Sequence, residues 1–237
     1  MLFDVFASAD VARLGWNAAR LGVYEAPTSG GVPEVKHPPV ENGELSDLLG
    51  HDKILYGMYH PDHRAYFEIV DVGGTGRIRF LDDPARNLWQ GTVSRDGQWV
   101  TFNATSALNS QIYIVPYREA QVPVAEWIPV TDGSAWDDKP RFSPDGRMLF
   151  FISHRDGFFC IWAQRLGKDM HPAGKMFTVY HSHQGRRSIE NFPFGDLDLE
   201  VGPGILMFDQ TALTGNIWLL DPAGQDNWNH PGRGNPR

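Results

Sequence analysis

The chain has 237 residues, enough for one large domain or two small ones, and its 41% apolar and 12% aromatic content excludes disorder over its whole length. Gly 25 and Pro 17, without a Gly-x-y period, exclude collagen and point to many turns rather than long helices. A net charge of −8 argues against nucleic acid as a partner, the single Cys160 excludes an internal disulfide and every multi-cysteine metal site, and no apolar run reaches the length of a membrane span.

The opening MLFDVFASAD carries Asp4 and no basic region, so no secretory leader is expected, and the compartment stays open. Ser8-Ala9-Asp10 then leads toward Leu14-Gly15-Trp16. The stretch Asp10 to Arg20 comes nearest to a helical period, yet its frame fits a strand repeat better. Gly30-Gly31 turns the chain into a short run over Val32–Lys36. Gly50-His51-Asp52-Lys53 precedes Ile54-Leu55-Tyr56, and Gly73-Gly74 again turns into a run, Arg77–Leu81.

The repeat is plainest in the middle of the chain. SRDGQWVTF starts at Ser94 and SPDGRMLFF at Ser143, and each serine precedes a second apolar run, Gln111-Ile112-Tyr113 or Cys160-Ile161-Trp162, by 17 residues. Downstream, Val201-Gly202-Pro203-Gly204 precedes Ile205-Leu206-Met207-Phe208, and Asn216-Ile217-Trp218 closes the pattern. The turn anchors at 8, 50, 94, 143 and 201 step by 42, 44, 49 and 58 residues. Runs such as Trp99-Val100-Thr101-Phe102 are β-branched or aromatic and bounded by turn residues, as strands are.

Repeats of roughly 40–45 residues with four short strands each are the signature of β-propeller blades. The expected fold is an all-β propeller of four-stranded antiparallel blades, about five of them visible, with no helix longer than two turns. Blades are expected at about 1–36, 44–81, 87–131, 137–182 and 191–221, followed by a disordered tail over 222–237. Phe102, Phe151 and Phe208, with Ile112, Ile161 and Ile217, should fill equivalent buried sites between blades.

At SPDGRMLFFISHRDGFFCIWAQRL the chain resembles the WD40-like repeats of bacterial TolB-type β-propellers, which carry S-P-D-G before the second strand and an I-W or I-Y pair in the third. TDGSAWDDKPRFSPDG and TGNIW are similar to propeller segments, many from acidobacteria, that stand alone or follow a Ser/Thr kinase or regulator domain. Two positions depart from the pattern: Arg95 stands in place of Pro, and Gly204 in place of an acidic turn residue. The resemblance implies a non-catalytic scaffold and names no ligand. Such propellers usually close with six or more blades. The count of five therefore leads us to expect the C-terminal part of a longer protein, whose open fan would expose apolar faces and favour self-association.

Several residue clusters carry possible chemistry. His154-Arg155-Asp156 matches the start of a kinase catalytic loop, but the Asn needed five residues after the Asp is Ile161, so HRDG is read as a turn between strands. His181-Ser182-His183 puts two imidazoles on one strand face, where zinc or copper would need a third ligand from elsewhere; the pair is read as an exposed outer strand leading into Arg186-Arg187. His60-Pro61-Asp62-His63 is read as a polar hairpin tip. Asp82-Asp83 and Asp137-Asp138 suit calcium or acid–base work, and suit turn capping better. Cys160, inside an aromatic run, is read as a buried small hydrophobe rather than a nucleophile. Ser134 and Ser143 lie in turns, and no nucleophile elbow, phosphate loop, HExxH or Rossmann fingerprint occurs. The expectation is a propeller with no catalytic, metal or cofactor site of its own, binding a protein, peptide or small ligand. The alternative is the substrate-gating propeller of a peptidase whose catalytic domain lies outside this chain.

Overall fold

The two Ser-x-Asp-Gly segments fold into the same turn. We analysed a computed structural model, which describes residues 3–7, 13–18, 22–27, 32, 34–37, 42–50, 52–107, 109–184, 187–189, 197–212 and 214. The Ser94 hydroxyl donates to Asp96 Oδ1 at 2.6 Å and accepts the Trp99 N–H at 3.0 Å. The Ser143 hydroxyl donates to Asp145 Oδ1 at 2.6 Å and accepts the Met148 N–H at 2.9 Å. Each carboxylate also accepts a backbone N–H, from Gln98 or Arg147, at 3.1 Å. The hydrogen bond from Ser143, then that from Arg147, holds the Asp145 carboxyl below its ordinary pKa. Gly97 and Gly146 follow at φ 70° and 67°, in the left-handed region where a side chain is strained. Arg95 fills the place of Pro144 without entering these bonds, so that departure from the repeat leaves the turn intact. Because the Ser143 hydroxyl makes two of them, Ser143→Ala should cost about 1–3 kcal/mol. Urea denaturation reads this, and an unchanged midpoint would show that the turn forms without the hydroxyl.

These turns join strands into repeated antiparallel sheets. The first holds β1 (Phe3–Ala7), β2 (Arg13–Ala18), β3 (Gly22–Pro27) and β4 (Glu34–His37). The second holds β5 (Gly43–Leu49), β6 (Lys53–Tyr59), β7 (Ala65–Asp71) and β8 (Arg77–Leu81). The third holds β9 (Asn87–Val93), β10 (Trp99–Thr105), β11 (Ser110–Pro116) and β12 (Ile128–Pro129), the last after a single 3-10 turn, Val124–Glu126. The fourth holds β13 (Asp137–Phe142), β14 (Met148–Ser153), β15 (Cys160–Arg165) and β16 (Phe177–Tyr180). In every one of them spatial order follows chain order. Beyond lie two strand pairs: β17 (Arg187–Ser188) with β20 (Thr211–Ala212), and β18 (Leu199–Gly202) with β19 (Ile205–Phe208). Among the described residues the 3-10 turn is the only helix, so the protein is all-β. Asn216–Trp218 and 222–237 lie outside the described residues.

Burial explains the strand composition. Six of the seven residues of β10 are buried, because a middle strand of a blade is covered on both faces by its neighbours. The outer strand β16 has no fully buried residue. Phe102, Phe151, Ile112 and Ile161 are all wholly buried, as the repeat frame requires. Phe208 departs from it: the ring is only half-buried, lying 4.8 Å from Tyr180. Its neighbours Ile205 and Met207 are 59% and 60% exposed, so no described blade covers that face of β19. Ile217 lies outside the described residues.

Side chains of the first strands of the blades stitch one blade to the next. Ser46 donates to the Gly91 carbonyl at 2.8 Å, and Thr92 to the Pro140 carbonyl at 3.0 Å. Arg141 reaches Asp198 at 2.9 Å and Glu200 at 3.0 Å. Asp47 accepts the N–H groups of Leu48 and Val93, both at 2.7 Å. Burial pushes the Asp47 carboxyl up to about 6, against these two bonds and the Arg141 charge. A raised acid binds its proton more tightly in the folded chain than in the unfolded one. Its contribution is therefore fully present below the unfolded value near 3.8 and is lost as pH rises through about 6. Asp47→Asn should consequently improve in stability relative to the parent between pH 4 and pH 7, by about 1–3 kcal/mol. Parallel urea titrations at several pH values check this, and a gap independent of pH would refute it.

Candidate functional site

Antiparallel strands reverse at each turn, so the β14–β15 hairpin and the exit of β16 come to the same end of the fourth blade. The hairpin is the HRDG segment: the Gly157 N–H donates to the His154 carbonyl at 3.1 Å, with Gly157 at φ 89°. Arg155 turns inward, donating to Asp137 at 2.8 Å and to the Ser153 hydroxyl at 3.0 Å. Ile161, at the magnesium position of the kinase pattern, is wholly buried within β15. Asp156 turns toward the strand exit.

The strand ends at Tyr180, so His181 and His183 follow β16 rather than sit within it, a correction to the outer-strand reading. The alternation nonetheless continues for three residues. Ser182 points inward and is buried, while His181 and His183 are exposed. The Ile161–Tyr180 pair sets the register, and one step further along the sheet Cys160 stands beside His181. The Ser182 N–H donates to Cys160 Sγ at 3.3 Å, and its hydroxyl accepts the Ile189 N–H at 3.3 Å.

Four donor atoms converge here. His181 Nδ1 lies 3.3 Å from His183 Nε2 and 3.3 Å from Asp156 Oδ2. His183 Nε2 lies 3.1 Å from the same Oδ2, and Cys160 Sγ lies 3.9 Å from His181 Nδ1. All four atoms fall within 4.8 Å of one another. Burial pushes the Cys160 thiol up. Burial acts to raise Asp156, but the bond with His183, the Phe158 N–H and the His183 charge together outweigh it and hold the carboxyl below its ordinary value. The Phe158 ring stacks on His183 at 4.6 Å.

Cys, His and Asp in one cluster invite comparison with a thiol nucleophile and its base. In such a relay the thiol faces one ring nitrogen and the acid orients the ring through the other. Here thiol and carboxylate both face Nδ1 of His181, and the thiol is wholly buried, which raises its pKa rather than favouring a thiolate. The cluster therefore has the form of a ligand set rather than a relay.

The other candidate residues have structural partners. Asp82 accepts from Arg64 at 2.8 Å and Arg79 at 2.9 Å, and Asp83 accepts from Arg86 at 2.6 Å and the Ala85 N–H at 2.8 Å. Asp137 takes Arg155, and Asp138 takes the Lys139 N–H at 2.7 Å. His60 and His63 form the β6–β7 hairpin tip, His63 N–H to His60 carbonyl at 2.8 Å. The Ser134 hydroxyl donates to Asp132 at 2.7 Å. Between the third and fourth blades lies an open cleft of about 640 Å³, with Gln111, Thr131, Asp132, Arg155, Gln164 and Lys175 on its walls. Among the described residues no helix is long and apolar enough to cross a membrane.

No protein-family model matches the sequence. The chain is 29% identical over 115 residues to the uncharacterized protein Atu1656 of Agrobacterium fabrum, a match covering 48% of this chain and 35% of that protein. Among solved structures it is similar to a putative TolB from Agrobacterium tumefaciens, with TM-score 0.57 and 19% identity over 76% of this chain and 62% of that one. It is similar also to TolB from Acinetobacter baumannii, with TM-score 0.52 and 17% identity over 89% of this chain and 49% of the other. A prolyl endopeptidase structure matches with TM-score 0.53 and 18% identity, over 88% of this chain and 31% of that one. The chain thus spans about a third of the curated relative and less than two thirds of each of these structures. Its blades, their turns and these likenesses together give it the fold of a TolB-like β-propeller.

Proposed function

We propose that the chain is a non-catalytic propeller module that holds a protein, peptide or small ligand on its loops and in the cleft between the third and fourth blades. The observation that carries this reading is where the reactive groups of the loops are spent. The hydroxyls of Ser94, Ser134 and Ser143 serve their own turns, and the paired aspartates serve arginines and backbone N–H groups. Loops fixed in this way on a rigid scaffold form a binding surface without the mobile base and nucleophile that turnover needs. The cleft offers Asp132 and Lys175 at its rim, a mixed-charge lining suited to an extended polar peptide.

The test incubates purified chain with magnesium and labelled ATP, and with esterase and peptidase panels, and records amide chemical shifts against a mixed peptide library. The expected result is no turnover, with shifts confined to residues 130–132 and 173–176. Turnover that survives repurification and disappears in Asp156→Ala or Ser134→Ala would overturn the reading. A second reading, a gating propeller for a peptidase, draws on the similarity to the prolyl endopeptidase structure. A reading frame continuing into a hydrolase domain would favour it; one continuing into a kinase or regulator domain would favour sensing.

A further inference from the structure

We propose that Asp156, Cys160, His181 and His183 are the four ligands of a zinc-type metal site that ties the β14–β15 hairpin to the chain leaving β16. The site goes beyond the binding role above and does not depend on it.

The nitrogen and oxygen distances match those a tetrahedral ion imposes. With bonds of about 2.0–2.1 Å to nitrogen and oxygen and about 2.3 Å to sulfur, tetrahedral angles put nitrogen and oxygen donors about 3.3 Å apart and sulfur about 3.5 Å from either. The three nitrogen and oxygen donors stand 3.3, 3.3 and 3.1 Å apart, and the sulfur is 3.9 Å from His181 Nδ1 and within 4.8 Å of the other two. To complete the figure the sulfur must close in by up to about 1 Å. Three donors mutually equidistant cannot be three corners of a square, which disfavours a planar copper(II) site. One carboxylate oxygen among two imidazoles and a thiolate disfavours calcium and magnesium, which take oxygen ligands.

The surroundings are those of a metal centre too. The Ser182 N–H aimed at Cys160 Sγ stabilises a thiolate, and Phe158 stacked on His183 fixes that ring. Without a cation, two ring nitrogens and a carboxylate oxygen share one small space. Binding displaces the Cys160 thiol proton to solvent as the sulfur–metal bond forms. All four positions are supplied by the protein, so the site is structural and leaves no place for substrate.

Cobalt(II) titration of the full chain, followed by optical absorption, tests the proposal. One equivalent should give the intense visible bands of tetrahedral cobalt together with a thiolate charge-transfer band in the near ultraviolet, and zinc should bleach both. Zinc should also raise the thermal midpoint, and EDTA should reverse the rise. Cys160 is buried and its replacement can disturb folding, so the exposed histidines provide the deciding variants. Outer partners alone change metal affinity roughly 10–100-fold, so His181→Ala and His183→Ala should each weaken cobalt by more than about 100-fold. In both, the circular dichroism spectrum should stay unchanged and the zinc-dependent midpoint shift should vanish. Absence of saturable cobalt bands, a spectrum without thiolate charge transfer, or binding unaltered in both histidine variants would overturn the proposal.

Discussion

Phe102→Ala should destabilise the protein by about 3–5 kcal/mol, the range for emptying an aromatic core position. The ring is wholly buried on β10 and has aromatic neighbours on three sides. Trp127 meets it edge-on at 4.9 Å and 86°, Tyr113 stacks at 5.9 Å, and Phe67 on β7 stands 6.1 Å away. It thus joins the second blade to the third, and its removal opens a void that neither sheet closes without moving its backbone. Domains are stable by only about 5–15 kcal/mol, so the variant should stand near the edge of folding at 25 °C. Phe151→Ala, the same position one repeat later, should behave alike. Guanidinium denaturation checks both; unchanged midpoints would show that these rings do not share a core.

Arg155→Met should have an effect of similar size for a different reason. The Asp137 side chain is 0% exposed and its nearest cation is the Arg155 guanidinium at 2.8 Å. Methionine keeps the aliphatic stem but removes the guanidinium that lies over the Phe151 and Trp162 rings and leaves the carboxylate without its cation, a loss of about 3–5 kcal/mol. Burial already raises the Asp137 carboxyl. Below its raised pKa the group is neutral in the folded chain, so the deficit of the variant should shrink as pH falls. Adding Asp137→Asn should recover part of the loss at neutral pH. A deficit unchanged by both pH and the second substitution would mean that the pair is not the source.

The fold was legible because its turns are chemically specific. Ser94 and Ser143 recur with Asp and Gly at fixed offsets, since each hydroxyl, carboxylate and left-handed glycine has its own bond or dihedral to satisfy in that turn. The frame was weakest where this chemistry lapses: the turn after Leu49 has Gly50 at φ 69° and no serine. Phe208 departs from its expected burial because burial in a propeller is conferred by the next blade as well as by its own. The cluster at the end of the fourth blade escaped for a related reason. His181 and His183 are visible as a pair, but Asp156 and Cys160 join them only through the reversal of three strands and the Ile161–Tyr180 register. In the repeat frame hairpin and strand exit share one end of a blade, which is what sets Asp156 and Cys160 beside the histidine pair.

The four-stranded sheets draw every strand from one uninterrupted stretch of chain. None waits for a partner from a remote part of the sequence. Hydrogen bonding within a blade can therefore be completed as that stretch leaves the ribosome, and loop closure, the slow step of many β proteins, spans only short distances. Each finished blade then offers its apolar face as the template on which the next one condenses, so assembly can follow the direction of synthesis.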